Sequence, residues 1–104
     1  MTKKRKPTHP GIILEEHYII PLDISMTQLS EASAISRKTL YKIINEEARI
    51  TARIAVRFAK VFETTPEFWL NLQQKYDIWL AEHDKQLCIA HIRPISQMIA
   101  ACHH

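Results

Sequence analysis

The segment "SRKTLYKIIN", Ser36 to Asn45, concentrates hydrogen-bonding side chains of one kind. Arg37, Lys38 and Lys42 are cationic donors, with Thr39 and Tyr41 beside them. Arginine and lysine donate to the O6 and N7 acceptors of guanine in a major groove. Thr27, Gln28, Ser36 and Asn45 are small or neutral polar residues of the kind that donate to phosphate oxygens. The chemistry on offer is therefore recognition of a polyanion rather than the making or breaking of bonds.

Other chemistries find less support. Six histidines and two cysteines raise the question of a metal site. The one cluster, Cys102-His103-His104, stands at a chain end, where tetrahedral geometry is hard to hold. His9, His17, His83 and His91 have no ligand spacing. The single glycine, Gly11, argues against phosphate-cradling loops, which need several glycines at fixed spacing. The expectation is a protein that is not an enzyme and carries no cofactor and no metal.

Elements that could hold Arg37 and its neighbours follow from local signals. Ser25-Met26-Thr27-Gln28 has the form of a capping box, so a helix starts there. It runs to about Ser33 and buries Leu29 and Ala32. Ala34-Ile35-Ser36 is a three-residue turn, and Ser36 caps the next helix, Arg37 to Ile44, whose inner face is Leu40, Ile43 and Ile44. Two short helices joined by such a turn form a helix-turn-helix. Ser30 has to be small where the second helix crosses it, and Ile35 plugs the angle between the two. The turn calls for a left-handed residue. Ala34 stands there, at a cost of roughly 1–2 kcal/mol.

Around this pair the chain reads as further helices. Gly11 to Ile20 forms a first helix, stopped before Pro21. Thr51 caps a helix that ends near Phe62, with Ile54, Ala55, Phe58, Val61 and Phe62 as its apolar stripe. Arg53, Arg57 and Lys60 lie on its opposite, solvated face. Thr65-Pro66-Glu67 is a strong helix start. That last helix reaches Glu82 or beyond and carries Phe68, Trp69, Leu72, Tyr76, Trp79 and Leu80. Core packing is the first reading for Trp69. A subunit contact is the reading for Trp79, since aromatic anchors are enriched at interfaces. Trp69, Leu72, Tyr76 and Trp79 together are the candidate dimer surface. The fold class is all-α: a five-helix, repressor-like domain over residues 11–82, preceded by a basic arm over 1–10 and followed by a C-terminal helical extension over 83–104. In that extension Ile95, Met98, Ile99 and Cys102 could line one face of a short helix.

At 104 residues the chain fits one domain. Its net charge of +3 is unevenly placed: residues 1–60 hold eleven Lys and Arg against six Asp and Glu, and residues 61–104 hold three against five. A basic front and a mildly acidic back suit a polyanion on one side and protein contacts on the other. No apolar run is long enough for a secretory signal or a membrane span, so the cytoplasm is the expected location and the cysteines are expected as thiols.

The stretch from His9 to Trp79 resembles the HigA family of antitoxins, within the Cro/repressor-type helix-turn-helix proteins. The motifs are "HPG" at 9–11, "ISRKTL" at 35–40, "RIT" at 49–51 and "TPEFWLNLQ" at 65–73, the last being the most diagnostic. The resemblance implies a dimeric DNA-binding protein that represses its own operon and neutralises a HigB-type toxin, a ribosome-dependent mRNA endonuclease. Met26 stands where the family has a phosphate-contacting glutamine, which passes that contact to Thr27 or Gln28. Glu46 stands where the family has glycine, so a different helix end is expected. The implied ligand is an inverted-repeat operator in double-stranded DNA. A stand-alone regulator without a toxin is the alternative. An interaction module that has lost DNA binding is a third reading, favoured by Met26, Ala34, Glu46 and Glu47.

Overall fold

The computed structural model describes residues 5–84 and 91–97. Lys3, Lys4, Met98, Ile99 and the Cys102-His103-His104 cluster lie outside the described residues. Helices account for the secondary structure among the described residues: α1 (Pro10–Leu14), a π-helical segment (Glu15–Ile19), α2 (Ile20–Leu22), α3 (Met26–Ser33), α4 (Arg37–Ile44), α5 (Ala52–Phe62) and α6 (Pro66–Glu82). The first three run on as one rod, so the expected five-helix architecture is met. In the extension, residues 95–97 make a single helical turn.

The first rod departs from its expected end. Pro21 lies inside α2 and does not stop the helix. The π-helical segment precedes it, with the Ile20 N–H reaching back to the Glu15 carbonyl. A proline needs no acceptor for a missing N–H, and a widened turn relieves the clash between its ring and the preceding carbonyls. The rod ends at Asp23, in the left-handed conformation (φ 52°).

"HPG" has a local physical explanation. His9 caps α1: its Nδ1 accepts the Gly11 N–H at 2.9 Å. Pro10 occupies the first turn, where no N–H is needed. Gly11 lies against the Ile43 carbonyl of α4 so closely that a Cβ at this position would overlap it. The only glycine of the chain thus marks the crossing of α1 over the end of α4.

The core is built from Leu14, Leu29, Ile35, Leu40, Ile43, Ile50, Ala55, Phe58 and Trp69. Helix α5 packs on α6, α3 on α4 and α5, and α1 on α4 and α6. An aromatic group holds the far side: Trp69 lies 5.0 Å from Phe58 and 5.2 Å from Tyr18, ring centre to ring centre. Its Nε1–H donates to Thr64 Oγ1 at 2.8 Å, so the buried polar atom is satisfied. Trp69 is completely buried. Its place in the candidate dimer surface is therefore corrected: enclosed by its own protomer, it has no area to offer a second chain.

"RIT" and the glutamine of "TPEFWLNLQ" also meet. Buried Gln73 accepts the Ile50 N–H at 2.8 Å and donates to Asp77 at 3.0 Å. Asp77 in turn pairs with Arg49 at 2.7 Å. This relay ties the link between α4 and α5 to α6, and so fixes the exit of α4 against the body of the domain.

Candidate nucleic-acid interface

Local chemistry sets up the α3–turn–α4 unit. Ser25 Oγ accepts the Gln28 N–H at 3.0 Å, and Gln28 Oε1 accepts the Ser25 N–H at 2.8 Å, completing the capping box. Leu29 is buried as expected. Ala32 is exposed, and Ser33 takes the inward position in its place. Its hydroxyl donates to the Leu29 carbonyl at 2.7 Å and accepts the Ile35 N–H at 3.3 Å, which makes burial of a polar side chain tolerable.

The turn has the expected shape. Ala34 is left-handed at φ 58°. Ile35 is buried between the helices. Ser30 Oγ donates to the Ile35 carbonyl at 2.6 Å, which is why the crossing point needs a short side chain. Arg57 of α5 adds a contact absent from the sequence reading: its Nη1 donates to the Ala34 carbonyl at 2.6 Å. Arg53, on the same helix, lines a shallow cleft with Arg57, Ser36, Thr39 and Thr51 beside the start of α4. Arg53, Arg57 and Lys60 are exposed, in keeping with the solvated face that their spacing predicts, and Arg57 in addition braces the turn. Its signal lay in tertiary proximity, which i, i+4 spacing does not report.

Helix α4 presents one face inward and one outward. Leu40 and Ile43 are fully buried, while Arg37, Lys38, Tyr41, Lys42 and Asn45 are exposed. No carboxylate among the described residues lies within ion-pair distance of Arg37, Lys38 or Lys42, so the three charges face solvent. Arg37 Nη1 donates to Thr27 Oγ1 at 3.3 Å, which links the outer faces of α3 and α4. Thr27 keeps its O–H proton for another acceptor, and the Gln28 amide keeps both of its donors. Ser36 is more engaged: its Oγ accepts the Thr39 N–H at 3.2 Å and donates to Thr39 Oγ1 at 2.9 Å. Met26 is half-buried against the core.

The exit of α4 keeps the shape that a glycine would give. Glu46 is left-handed at φ 63°. Its N–H bonds to the Ile43 carbonyl at 3.1 Å, and the Glu47 N–H bonds to the Lys42 carbonyl at 2.7 Å. This paired arrangement is a Schellman motif. The different helix end expected from the missing glycine does not occur.

The nine outward candidates divide by element. Thr27 and Gln28 lie on the first turn of α3. Ser36 caps α4, and Arg37, Lys38, Thr39, Tyr41 and Lys42 occupy its length. Asn45 stands at its exit. Away from this face, Leu72 packs against the core, and Tyr76 lies edge-on to His9 at 4.9 Å. Trp79 stacks on His83 at 3.9 Å. Lys6, from the arm, sits over both Tyr76 (5.5 Å) and Trp79 (5.7 Å). Among the described residues, no group of three or more His, Cys, Asp or Glu is placed to hold a metal ion, and no helix is long and apolar enough to cross a membrane.

Comparison with known proteins agrees with this geometry. Residues 17–69 match the helix-turn-helix family model. An uncharacterized HTH-type transcriptional regulator of Haemophilus influenzae is 46% identical over 92 residues, 86% of each chain. The structure of an addiction module antidote protein of the HigA family from Coxiella burnetii superposes with a TM-score of 0.77 at 40% identity, covering 86% of this chain and 99% of that one. The Pseudomonas aeruginosa antitoxin HigA, solved with the higBA promoter, gives 0.75 at 36% identity, covering 85% and 97%. This chain belongs to the helix-turn-helix family of transcriptional regulators, and HigA antitoxins are among its relatives.

Proposed function

We propose that the protein is a sequence-specific DNA-binding repressor and the antitoxin of a toxin–antitoxin pair. Two copies bind an inverted-repeat operator, each laying α4 into a major groove about 34 Å from the other. Arg37 and Lys38 read base edges, and Lys42 reads a base or a phosphate. Thr39 and Tyr41 flank these contacts. Thr27, Gln28, Ser36 and Asn45 hold the backbone, with Thr27 and Gln28 the stronger donors because their protons are uncommitted. Repression follows from occlusion of the polymerase, and the same protein neutralises a HigB-type endonuclease.

The observation that carries the DNA-binding part is the outer face of α4, where three cations stand without carboxylate partners next to uncommitted hydroxyl and amide donors. A HigA relative solved with its promoter supports the same use of the fold. The test is a binding titration on the protein's own promoter at several salt concentrations. Expected is operator binding whose log affinity falls linearly with log salt, and which exceeds binding to scrambled DNA by at least about a thousandfold. Equal affinity for both DNAs would remove the reading.

A stand-alone regulator is the second reading. It is favoured by the Haemophilus influenzae relative, which is more identical to this chain than either antitoxin structure and is described only as a regulator. Co-expression with the adjacent reading frame decides between them. A small basic partner that co-purifies supports the antitoxin, and a neighbouring locus without such a frame supports the regulator.

A further inference from the structure

The basic arm meets α6 through Lys6. Its Nζ lies 5.5 Å from the centre of the Tyr76 ring and 5.7 Å from that of Trp79. Both distances fall within the roughly 6 Å over which an ammonium is drawn to an aromatic face. Arg5 and Pro7, the residues before and after Lys6, line a groove of about 390 Å³ together with Lys75, Ile78, Trp79 and Glu82 of α6. One short segment of the arm thus lies across the outer aromatic end of the last helix.

The two ends of that segment are held unequally. At the root, His9 is buried, accepts the Gly11 N–H at 2.9 Å and stands edge-on to the same Tyr76 ring at 4.9 Å. Pro7 and Pro10, on either side of the root, restrict the backbone there. Toward the free end the hold is lighter. Arg5 and Lys6 are exposed, and among the described residues no ion pair joins the arm to α6. Each ring contact of an exposed lysine favours closure by only roughly two- to fivefold. Beside the latch lie Ile78, 48% exposed, and the half-buried Trp79. Lifting the arm would give this apolar surface to water.

We propose that Arg5 to Pro7 is a strap, rooted at His9 and latched by Lys6 on Tyr76 and Trp79, that closes over the apolar end of α6 and opens readily. The chain's own arm is the first occupant of this face, and whatever else settles on Tyr76 and Trp79 has to displace Lys6. The latch also commits the Lys6 charge to α6, so Lys6 is not one of the phosphate contacts. The strap does not depend on the function proposed above.

Nuclear magnetic resonance of the full-length protein, labelled with carbon-13 at lysine, tests the latch. Aromatic ring currents are expected to move one lysine ε-methylene signal upfield of those of the exposed lysines. That signal is expected to vanish in Lys6→Met, and to move back toward the others in Tyr76→Leu and in Trp79→Leu. Lys6→Met keeps the stem and removes the charge, so it also tests the cover. The apolar dye 1-anilinonaphthalene-8-sulfonate is expected to brighten at least about twofold more with this variant than with wild type, whereas Lys6→Arg, which keeps a cation, is expected to match wild type. Lysine signals all at the exposed position would overturn the proposal, as would dye emission unchanged by Lys6→Met. A salt slope of DNA binding lowered by about one in Lys6→Met would overturn it too, because Lys6 would then neutralise a phosphate.

Discussion

Arg57 holds the carbonyl of Ala34 at 2.6 Å, joining α5 to the turn between α3 and α4. The bond comes from a charged donor and reaches a residue that is already in an unfavourable conformation. It fixes the angle at which α4 leaves α3, and so the direction in which Arg37 and Lys38 point. Arg57→Ala is expected to destabilise the domain by about 1 kcal/mol in urea denaturation, below the roughly 1.5–3 kcal/mol of a charged donor because the bond is solvent-exposed. It should weaken operator binding while leaving the salt slope unchanged. A slope reduced by about one would mean that Arg57 contacts a phosphate directly.

Left-handed backbone at non-glycine residues recurs at Asp23, Ala34, Glu46 and Glu63, each just after a helix. Such residues cost roughly 1–2 kcal/mol relative to glycine, part of which glycine returns through its freer unfolded state. Ala34→Gly and Glu46→Gly are each expected to stabilise the protein by up to about 1 kcal/mol, a rise of several degrees in thermal midpoint. A drop in midpoint for either would show that the side chain contributes more than its backbone strain removes.

At Gly11 the opposite holds. Any Cβ there meets the Ile43 carbonyl, a backbone atom that cannot swing aside. Gly11→Ala is expected to cost about 1–3 kcal/mol or more, since overpacking forces backbone shifts. Calorimetry of the variant checks this, and an unchanged midpoint would mean that α1 shifts freely over α4.

His9 ties stability to pH. Burial holds its pKa below the usual 6.5, and Lys6 acts in the same direction, while Glu46 and Asp77 oppose them. The Gly11 N–H donates to Nδ1, so the cap requires a neutral ring. With a lowered folded-state pKa, the unfolded chain takes up the proton first. The stabilisation is therefore complete above about pH 6.5 and is lost as pH falls through the folded-state value. Denaturation at pH 7.5 and 5.5 is expected to show a larger acid loss for wild type than for His9→Asn, which keeps a cap without a titrating ring. Equal losses would place the pH sensitivity elsewhere.

Base reading is tested at Arg37. Arg37→Ala is expected to cost on the order of 1–3 kcal/mol of operator affinity and to relax preference at one base position. A control, Thr27→Val, removes the 3.3 Å contact that steadies the guanidinium and should cost less than the loss of Arg37 itself. Unchanged sequence preference in a binding-site selection would assign Arg37 to the backbone.

Much of the fold was legible because its signals are local. Ser25, Ser36, Thr51 and Thr65 each cap the helix expected of them, since a cap needs only a side chain and an N–H two or three residues on. Leu29, Leu40 and Ile43 are buried because helical period alone orients them, and Ile35 because the turn wedges it between the two helices. The failures share another cause. Ser33 rather than Ala32 turned inward because its hydroxyl found both a donor and an acceptor in the turn. Pro21 continued its helix because the π-helical segment made room for the ring. Arg57 met Ala34 across 23 positions of sequence, and Gln73 met Ile50 across the same separation. Such partners are set by how helices cross, which no window of neighbouring residues encodes. The outward set on α4 was accessible to sequence because exposure is the complement of the apolar stripe; the commitment of Ser36 to Thr39 was not.

The placement of the two tryptophans has a spectroscopic consequence. Trp69 is sealed among Tyr18, Phe58 and Phe62, whereas Trp79 lines a groove between α6 and Arg5 and Pro7 of the arm. Emission from the first tracks unfolding of the core; emission from the second reports the surroundings of that groove. With Trp79 replaced by phenylalanine, and separately Trp69, one chain yields two dyes that need no labelling, one for the core and one for the groove.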